Sequence, residues 1–377
     1  MKEFGYIIFS IFYRIFCIFP IQAKKIFLVM THDAGPEGNM ASMRDYIKEQ
    51  DKEYEFVELH RQDTHFGRSL KKMWHFFIVD AFHFATSAYI FLDNMFLPMS
   101  YLKVRKKVKV VQMWHGTGVI KKIGADTNEG KLKELEYRAN QNNTHLLVSS
   151  ETTASIYQQS FSMPMEKVYI TGMPRADVFF DEAYQQKALM AFYEEYPMCR
   201  DKKLILYAPT FRDSQVANPV IELDYNGLAK RLGEEYVIGL RLHPFVAKNR
   251  KMDANLPENV IDFSSYASLN SLLFATDVLI SDYSSIIFEF SALRRPMLFF
   301  AYDLEEFSEN GRGFYWDYEA YVPGAVVRNN EELQEQLCNI LESEEGEEDK
   351  DYNAFLEDVY KYPDSNAKKR IFELLQL

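Results

Sequence analysis

The stretch that decides the fold runs Asp277-Val278-Leu279-Ile280-Ser281-Asp282-Tyr283-Ser284-Ser285-Ile286-Ile287-Phe288-Glu289-Phe290. An apolar run breaks into small polar residues and then resumes with apolar residues at helical spacing. This pattern predicts a strand, a turn and a helix. Backbone N–H groups at the start of a helix have no intrahelical partner, and the helix dipole places partial positive charge there. The turn would therefore suit a phosphate group.

Three side chains of this stretch are candidate contacts for a nucleotide donor. Ser284 and Ser285 lie in the turn, where their hydroxyl groups would complete the cradle. Glu289 lies one helical turn after Ser285 on the same face, where it would accept a hydrogen bond from a ribose hydroxyl. The same residues also fit an ordinary serine N-cap on a buried helix, because serine is common at that position. These residues alone leave both interpretations open.

The composition is that of a globular protein with two domains or so. The chain has 377 residues, of which 47% are hydrophobic and 15% aromatic, so it can bury a large core. Its net charge of −12 argues against nucleic acid as a partner, because phosphate backbones need a basic surface. The three cysteines lie far apart and outside metal-binding spacings, which predicts a reducing compartment without disulfides or a zinc site.

The N-terminal segment is unusually apolar for such a chain. Residues 4–21 are nearly all aromatic or β-branched, interrupted by Ser10 and Arg14. A membrane span needs about 20 apolar residues without a charge in the middle, so Arg14 favours a helix lying in the membrane interface. A buried core helix is the alternative. Aromatic residues at Trp74, Phe76 and Phe77 and the basic cluster 103–109 would add contacts to an anionic membrane, although that cluster also fits a solvated turn.

Apolar runs alternate with helical patterns along the whole chain, which predicts an α/β protein with parallel sheets. The first group of strands begins with 26–30, whose polar loop 31–39 contains glycine and marks a ligand-facing edge. The predicted organisation is a membrane-associating segment 1–23, a first domain 24–181, a linker 182–200 and a second domain 201–377. Packing of the last helix back on the first domain is a further possibility.

Candidate site residues follow the predicted strands. His115 stands at the end of one strand, followed by Gly116, Thr117 and a second glycine, an arrangement suited to acid–base catalysis, although a lone histidine is more often structural. Two later strands end in cations: Thr210 and Arg212 follow the first of them, and the second ends in Arg241 and His243. Successive strands that deliver cations to one edge predict an anionic ligand there.

Five motifs, in this order and spacing, resemble the CDP-glycerol glycerophosphotransferase family of teichoic acid synthesis over roughly residues 25–330. They are Trp114-His115-Gly116-Thr117, Gly172-Met173-Pro174-Arg175-Ala176-Asp177, Tyr207-Ala208-Pro209-Thr210-Phe211-Arg212, Arg241-Leu242-His243-Pro244 and Ser281-Asp282-Tyr283-Ser284-Ser285. The resemblance implies a GT-B-like fold, with two Rossmann-type domains facing across a cleft. It also implies that His115 is the acceptor-side base, with Gly116 and Thr117 beside it, and that His243 contacts phosphate.

Two positions depart from the family pattern, Gly118 where many members have proline and Glu289 where aspartate is frequent. The extra N-terminal domain of some polymerases in this family is expected to be absent. We also expect no metal and no cofactor, because Arg212, Arg241, His243 and the serine turn would neutralise the phosphates. The D-x-D at Asp349-Lys350-Asp351 lies in an acidic run that we interpret as a solvated loop.

The function implied by the resemblance is transfer of glycerol phosphate from CDP-glycerol to a hydroxyl of a polyprenyl-diphosphate-linked acceptor, releasing CMP. The acceptor would be a lipid-linked saccharide or polyol phosphate, and the enzyme would be peripheral or monotopic on the cytoplasmic face of the cell membrane. A CDP-ribitol-using relative, a GT-B glycosyltransferase that uses a nucleotide sugar, and a membrane-bound nucleotide-binding protein without activity are the alternatives.

Overall fold

A computed structural model describes residues 2–33, 35–212, 220–242, 246, 256–343 and 350–377. The chain divides into two compact units. The first unit comprises Met1–Asp177 and Asp358–Leu377, and the second comprises Val178–Glu357. Each unit is built on one six-stranded sheet.

The sheet of the first unit has the order β2-β1-β3-β4-β5-β6, and all its neighbouring strands are parallel. The strands are β1 Gln22–Met30, β2 Glu55–His60, β3 Ser87–Leu92, β4 Lys109–Gln112, β5 His145–Val148 and β6 Val168–Ile170. The central strands are buried because helices cover both faces of a parallel sheet, which explains their near-continuous apolar sequences. The strand order changes direction between β1 and β3, and ligands of open α/β sheets bind at such a point.

Helices surround this sheet. The α-helices of the first unit are Lys2–Phe16, Asn39–Gln50, Leu70–Trp74, Ala81–Thr86, Gly130–Asn140, Glu151–Ser160 and Ala367–Leu375. Shorter helical turns are His75–Asp80, which is a π-helix, and the 3-10 turns Arg61–Asp63, Leu97–Tyr101, Gly124–Asp126 and Met165–Lys167. The last helix lies in the first unit, where the carboxylate of Asp177 accepts hydrogen bonds from the backbone N–H groups of Ala367 and Lys368.

The N-terminal helix Lys2–Phe16 is apolar on two faces. One face packs into the core through Phe9 and Tyr13, which are 0% and 2% exposed and make edge-to-face contacts with the ring of Phe84. The opposite face leaves a stripe of large apolar side chains in the solvent, and this exposed stripe continues past the helix end: Phe4, Ile7, Ile11, Ile15 and Ile18. Within the described residues, no helix combines the length and the apolar character needed to cross a bilayer.

Two parts of the predicted membrane surface lie elsewhere. Phe76 and Phe77 are buried, because they pack against Phe66 in the core, whereas Trp74 is exposed. Lys109 donates from Nζ to the carbonyl oxygen of Leu375 at 2.6 Å, since β4 carries it towards the C-terminal helix. The inclusion of Phe76, Phe77 and Lys109 in that surface was therefore wrong.

The sheet of the second unit has the order β12-β11-β10-β7-β8-β9, again with all neighbouring strands parallel. The strands are β7 Lys203–Tyr207, β8 Tyr236–Leu240, β9 Val260–Asp262, β10 Val278–Ser281, β11 Met297–Phe300 and β12 Val326–Val327. Counted from β7, this is the order 3-2-1-4-5-6 of dinucleotide-binding domains, in which ligands bind where β7 and β10 meet. The predicted parallel sheets are thus confirmed.

The second unit also begins with a helix, Glu182–Glu195, so the residues predicted as a linker, 182–200, are largely helical. The described α-helices that follow are Tyr225–Leu232, Leu269–Ala275, Ile286–Ser291, Leu304–Asn310, Tyr318–Tyr321, Asn330–Glu342 and Lys350–Val359, the last of which crosses the boundary at Asp358. The 3-10 turns are Pro174–Phe180, which also crosses a boundary, and Pro197–Cys199. Strand β10 and helix Ile286–Ser291 match the strand, turn and helix that the serine stretch predicts.

Candidate active site

His115 lies three residues after the end of β4, at the carboxyl edge of the first sheet. Its ring nitrogen Nδ1 is 2.8 Å from the backbone carbonyl oxygen of Asp93, which follows β3. A carbonyl oxygen only accepts hydrogen bonds, so Nδ1 carries a proton in this contact. In the neutral ring, Nε2 is then the basic nitrogen, as a general base requires.

Two aromatic rings hold His115 in place. The imidazole of His32 stacks on it with centroids 3.6 Å apart and planes 12° apart, and the ring of Trp114 stacks at 4.1 Å and 30°. Two rings cannot share one face of an imidazole at these separations, so His115 lies between them. His32 follows β1, which makes it a site residue contributed by a different strand.

The backbone of Trp114 is strained. Its φ of 56° lies in the left-handed region, which is costly for a bulky side chain. Side chains on both sides fix this conformation: Gln112 Oε1 accepts from Trp114 N at 2.9 Å, and Asn39 Nδ2 donates to Trp114 O at 3.4 Å. The sharp turn after β4 thereby fixes the backbone that leads to His115.

The carboxylate of Asp93 ties the exit loop of β1 to β3. It accepts from the backbone N–H groups of Thr31, His32 and Asp33 at 3.0, 2.8 and 2.8 Å. Burial raises the pKa of the Asp93 carboxyl group, and the three N–H donors act in the opposite direction. Asp93 therefore positions His32 through its side-chain carboxylate and His115 through its backbone carbonyl oxygen.

Arg175 completes this network from the loop after β6. Its Nη1 donates to Asp33 Oδ2 at 3.1 Å and to the carbonyl oxygen of His115 at 3.0 Å. The backbone N–H of Arg175 also donates to Asn39 Oδ1 at 3.1 Å. In the loop after β1, position 38 favours glycine, because a Cβ there would lie 2.6 Å from the carboxylate of Asp33.

Sequence reasoning did not name Asp93, Arg175, Asn39 or His32 individually as site residues, although it placed Arg175 in a family motif and the loop 31–39 at a ligand-facing edge. The available signal was position, because each lies just beyond a strand or at the start of the helix after β1. Gly116 and Thr117, which follow His115 in the chain, are buried, and the carbonyl oxygen of Thr117 accepts a hydrogen bond from Ser149 Oγ at 2.7 Å. Their acceptor-side role stays a prediction.

In the second unit, the exits of β7 and β10 are joined at the point where the strand order changes direction. Thr210 N donates to Asp282 Oδ1 at 2.7 Å, and Ser281 Oγ donates to the carbonyl oxygen of Ala208 at 2.8 Å. Within the described part of the chain, the buried hydroxyl oxygen of Thr210 has no hydrogen-bond partner. A buried oxygen of this kind is a candidate contact for a bound molecule.

Arg212 is 7% exposed and points into the protein. Its Nε and Nη2 bind the two carboxylate oxygens of Asp303 at 2.7 and 2.9 Å, and Nη2 lies 2.9 Å from Asp282 Oδ2. Nη1 donates to the carbonyl oxygen of Thr210 at 2.7 Å. Burial alone would lower the pKa of this guanidinium, but the two carboxylates raise it, so Arg212 stays charged. Three aromatic rings surround the guanidinium: Tyr283, Tyr302 and Phe307.

The remaining predicted donor contacts lie near the same edge. Arg241 Nη1 donates to the carbonyl oxygens of Phe263 and Tyr266. Ser285 is exposed at the start of helix Ile286–Ser291, and its side chain makes no capping hydrogen bond.

Ser284 is half-buried, with Oγ 3.5 Å from the N–H of Ile286, and Glu289 is buried in the helix. His243 lies outside the described residues.

No group of three or more histidine, cysteine, aspartate or glutamate side chains suited to a metal ion occurs among the residues that the structure describes. Asp349 of the D-x-D lies outside them. Cys17, Cys199 and Cys338 are all free thiols.

The family model described as CDP-Glycerol:Poly(glycerophosphate) glycerophosphotransferase matches residues 11–377 of this chain. A teichoic acid poly(ribitol-phosphate) polymerase of Bacillus spizizenii is 35% identical over 346 residues, covering 89% of this chain and 54% of the relative. A teichoic acid glycerol-phosphate primase of Bacillus subtilis is 32% identical over 296 residues, covering 77% of this chain and 74% of the relative. The chain spans about half the length of the first two relatives it matches, 54% and 50%.

Solved structures share the fold. A variant of the wall teichoic acid polymerase TagF superimposes with a TM-score of 0.82 at 22% identity, covering 98% of this chain and 93% of that chain. A UDP-GlcNAc 2-epimerase from Neisseria meningitidis bound to UDP-GlcNAc has a TM-score of 0.56 at 16% identity, covering 93% of this chain and 99% of that chain. At these identities the likeness establishes the fold alone.

Proposed function

Because this chain belongs to the CDP-glycerol:poly(glycerophosphate) glycerophosphotransferase family, we propose that it transfers a polyol phosphate from a CDP-activated donor to a hydroxyl group of a teichoic acid acceptor. The donor we propose is CDP-glycerol, and the acceptor is a lipid-linked saccharide or polyol phosphate. An acceptor oxygen forms a bond to the phosphorus that carries the polyol, the bond from that phosphorus to CMP breaks, and CMP leaves. The GT-B-like architecture implied by the five motifs is part of this proposal.

The observation that carries the chemistry is the hydrogen bond from His115 Nδ1 to the Asp93 carbonyl oxygen. It leaves Nε2 to accept the proton of the attacking hydroxyl, and it stabilises the imidazolium that then forms. The stacked rings of His32 and Trp114 restrict rotation of the imidazole, so the orientation of Nε2 is fixed. General base catalysis of this kind contributes about 10²–10⁴-fold in rate.

We place the donor in the second unit, in the crevice at the carboxyl ends of β7 and β10. Two groups support this placement: the hydroxyl oxygen of Thr210, which has no hydrogen-bond partner among the described residues, and the exposed hydroxyl of Ser285. Ser284, Glu289 and Arg241 complete the proposed donor contacts, together with His243. Arg212 would contribute by holding Thr210 and Asp282 in position.

CDP-ribitol is the second candidate donor. Two relatives named as ribitol-phosphate polymerases are 35% and 36% identical to this chain, whereas the glycerol-phosphate primase is 32% identical. The two polyols differ in length, so the choice depends on the pocket around the polyol rather than on the phosphate contacts.

Product analysis tests the proposal. The full-length protein is incubated with a lipid-linked acceptor and CDP-glycerol, CDP-ribitol or UDP-GlcNAc, and released CMP or UDP and the mass of the acceptor are measured. We expect CMP release coupled to addition of a polyol phosphate. Transfer of a sugar from UDP-GlcNAc would instead support a glycosyltransferase, and nucleotide binding without any product would contradict an enzymatic role.

A substitution of the proposed base gives a second test. His115→Gln should lower kcat by about 10²–10⁴-fold and leave the Kd of CDP-glycerol nearly unchanged, since the ring acts only on the acceptor hydroxyl. The exposed His65 offers a matched control, and His65→Gln should alter neither quantity. A loss of nucleotide affinity in His115→Gln equal to its loss of rate would show that the base assignment is wrong.

We further propose that the protein works at the cytoplasmic face of an anionic membrane, with the N-terminal helix lying in the interface. The exposed stripe of that helix supplies apolar side chains, and Trp74 is exposed in the same unit. The basic turn 103–107 adjoins the helix, because Arg105 N donates to Tyr13 Oη and Arg105 Nη1 donates to the carbonyl oxygen of Phe19. The exposed cations of that turn are Lys103, Lys106 and Lys107. Apolar side chains beside several lysines match an anionic lipid surface.

A further inference from the structure

A second titratable ring lies against the proposed base. The imidazoles of His32 and His115 face each other with centroids only 3.6 Å apart. If both rings carried a proton on each nitrogen, two positive charges would stand at that separation and repel each other strongly. The pair therefore takes up protons in two separate steps, and the second step occurs at lower pH than it would for an isolated ring.

The two rings differ in their exposure to solvent. His32 is exposed, whereas His115 is half-buried between His32 and Trp114. Burial disfavours a charged imidazole, which favours the exposed ring of His32 for the first proton. A protonated His32 then makes protonation of His115 harder.

Among the described residues, charged groups that contact the pair or its backbone include Asp33, Arg175 and Asp93, and Glu37 lies on the same loop as His32. Asp33 and Arg175 form an ion pair at 3.1 Å, so their fields largely cancel. The carboxylate of Asp93 is occupied by three backbone N–H groups. All four groups remain when His32 alone is replaced, so the replacement isolates the effect of the second ring.

We propose that His32 is a second functional histidine of this site, which binds a proton before His115 does and thereby keeps His115 in its basic form as the pH falls. The catalytic consequence rests on the proposed function, because it assumes that His115 is the base. The coupling between the two rings does not. His32 acts through His115 and is therefore a positioning and tuning residue.

The direct test is an NMR titration of the histidine ring signals in the full-length protein without substrate, with the His115 signal assigned from His115→Gln. His32→Phe keeps a stacked ring and removes the charge, and His65→Phe is the matched control. We expect His32→Phe to raise the pKa of His115 by about one unit or more, and His65→Phe to leave it unchanged. An unchanged pKa of His115 in His32→Phe would overturn the proposal.

Kinetics supply the second readout. The acid limb of the kcat/KM profile should move to higher pH by about one unit in His32→Phe, measured relative to the alkaline plateau of that variant itself. His32→Ala should move the limb equally and also lower kcat, because the stacked ring is lost. If the NMR shift occurs and the acid limb does not follow it, His32 still controls the pKa of His115, and the assignment of His115 as the base is what fails.

Discussion

Arg212 shows how a cation at a strand end can serve the protein rather than the ligand. Its position after β7 suggested a direct contact with the donor phosphates. In the structure its donors instead bind Asp303, the carbonyl oxygen of Thr210 and Asp282, and so connect the exits of β7, β10 and β11. A direct phosphate contact by Arg212 stays a prediction, whereas its link between the three loops is present without any ligand.

Replacing Arg212 should therefore destabilise the second unit. Arg212→Met leaves the carboxylates of Asp282 and Asp303 without their cation, and breaking a buried ion pair costs about 3–5 kcal/mol. Hydrogen exchange of peptides from β10 and β11 should accelerate strongly. Arg231 is exposed in the same unit, and Arg231→Met should have no such effect. Equal protection in the two variants would mean that the Arg212 network contributes little to stability.

The loop after β1 depends on one glycine. Gly38 has φ −78°, so its backbone suits any residue, but a Cβ would meet the Asp33 carboxylate at 2.6 Å. Gly38→Ala should push Asp33 away from Arg175 and lower kcat/KM by about tenfold, since displaced catalytic geometry is costly. A Cβ at Gly35 meets nothing within 4 Å, so Gly35→Ala is the control.

A double substitution tests whether this effect passes through Asp33. In the Asp33→Ala background, Gly38→Ala should cause no further loss of kcat/KM, because the clash and the ion pair are both gone. Additive losses would place the effect of Gly38 elsewhere in the loop.

The π-helical turn His75–Asp80 places a carboxyl group in the core. Burial, followed by the nearby charge of Asp63, raises the pKa of Asp80 to about 7. The unfolded chain ionises Asp80 near its ordinary pKa of about 3.9, so the folded state holds the extra proton between those values. Stability should therefore be lost as pH rises through this window, by up to about 1.4 kcal/mol per pH unit.

Asp80→Asn removes this dependence. As the pH rises from about 5 to about 7.5, the free energy of unfolding of the variant, measured with urea, should increase by about 2–3 kcal/mol relative to that of the wild type. Asp201→Asn, at an exposed position, should follow the wild type at both pH values. A constant difference between Asp80→Asn and the wild type would show that Asp80 is ionised in the folded protein.

One face of the N-terminal helix belongs to the core, and the other face belongs to the proposed membrane surface. Deleting residues 1–21 would remove the proposed membrane surface together with Phe9 and Tyr13, which belong to the core. Loss of large core side chains costs about 3–5 kcal/mol each, so a truncated protein would test folding rather than membrane binding. Substitutions confined to the exposed stripe separate the two effects.

The triple variant Ile7→Gln, Ile11→Gln and Ile15→Gln should lower binding to vesicles of phosphatidylglycerol and phosphatidylcholine by on the order of 100-fold or more. It should transfer the polyol phosphate more slowly than the wild type to a lipid-embedded acceptor, and at the rate of the wild type to a soluble short-chain analogue. Three exposed apolar residues of the second unit serve as the control: Met190→Gln, Met198→Gln and Val220→Gln. Equal vesicle binding by both triple variants would contradict the membrane proposal.

Local sequence was sufficient for the longer buried strands and for the positions of several candidate site residues, whereas it did not reveal the short strands β9 and β12. The buried runs of β1, β3, β7 and β10 are apolar over consecutive residues because both faces of a parallel sheet are covered. The polar residues that follow them mark the carboxyl edge, which is where ligands of such sheets bind. His115, Thr210 and the serine turn could be found from this rule.

The partners of these residues depended on the tertiary structure. His115 meets Asp93 across 22 residues and Arg175 across 60, and Arg212 meets Asp303 across 91. Such contacts arise from the order of strands in a sheet, which the local pattern of apolar residues does not encode. For the same reason the sequence revealed an apolar segment at residues 4–21, while only the packed structure decided which face of its helix joins the core and which remains exposed.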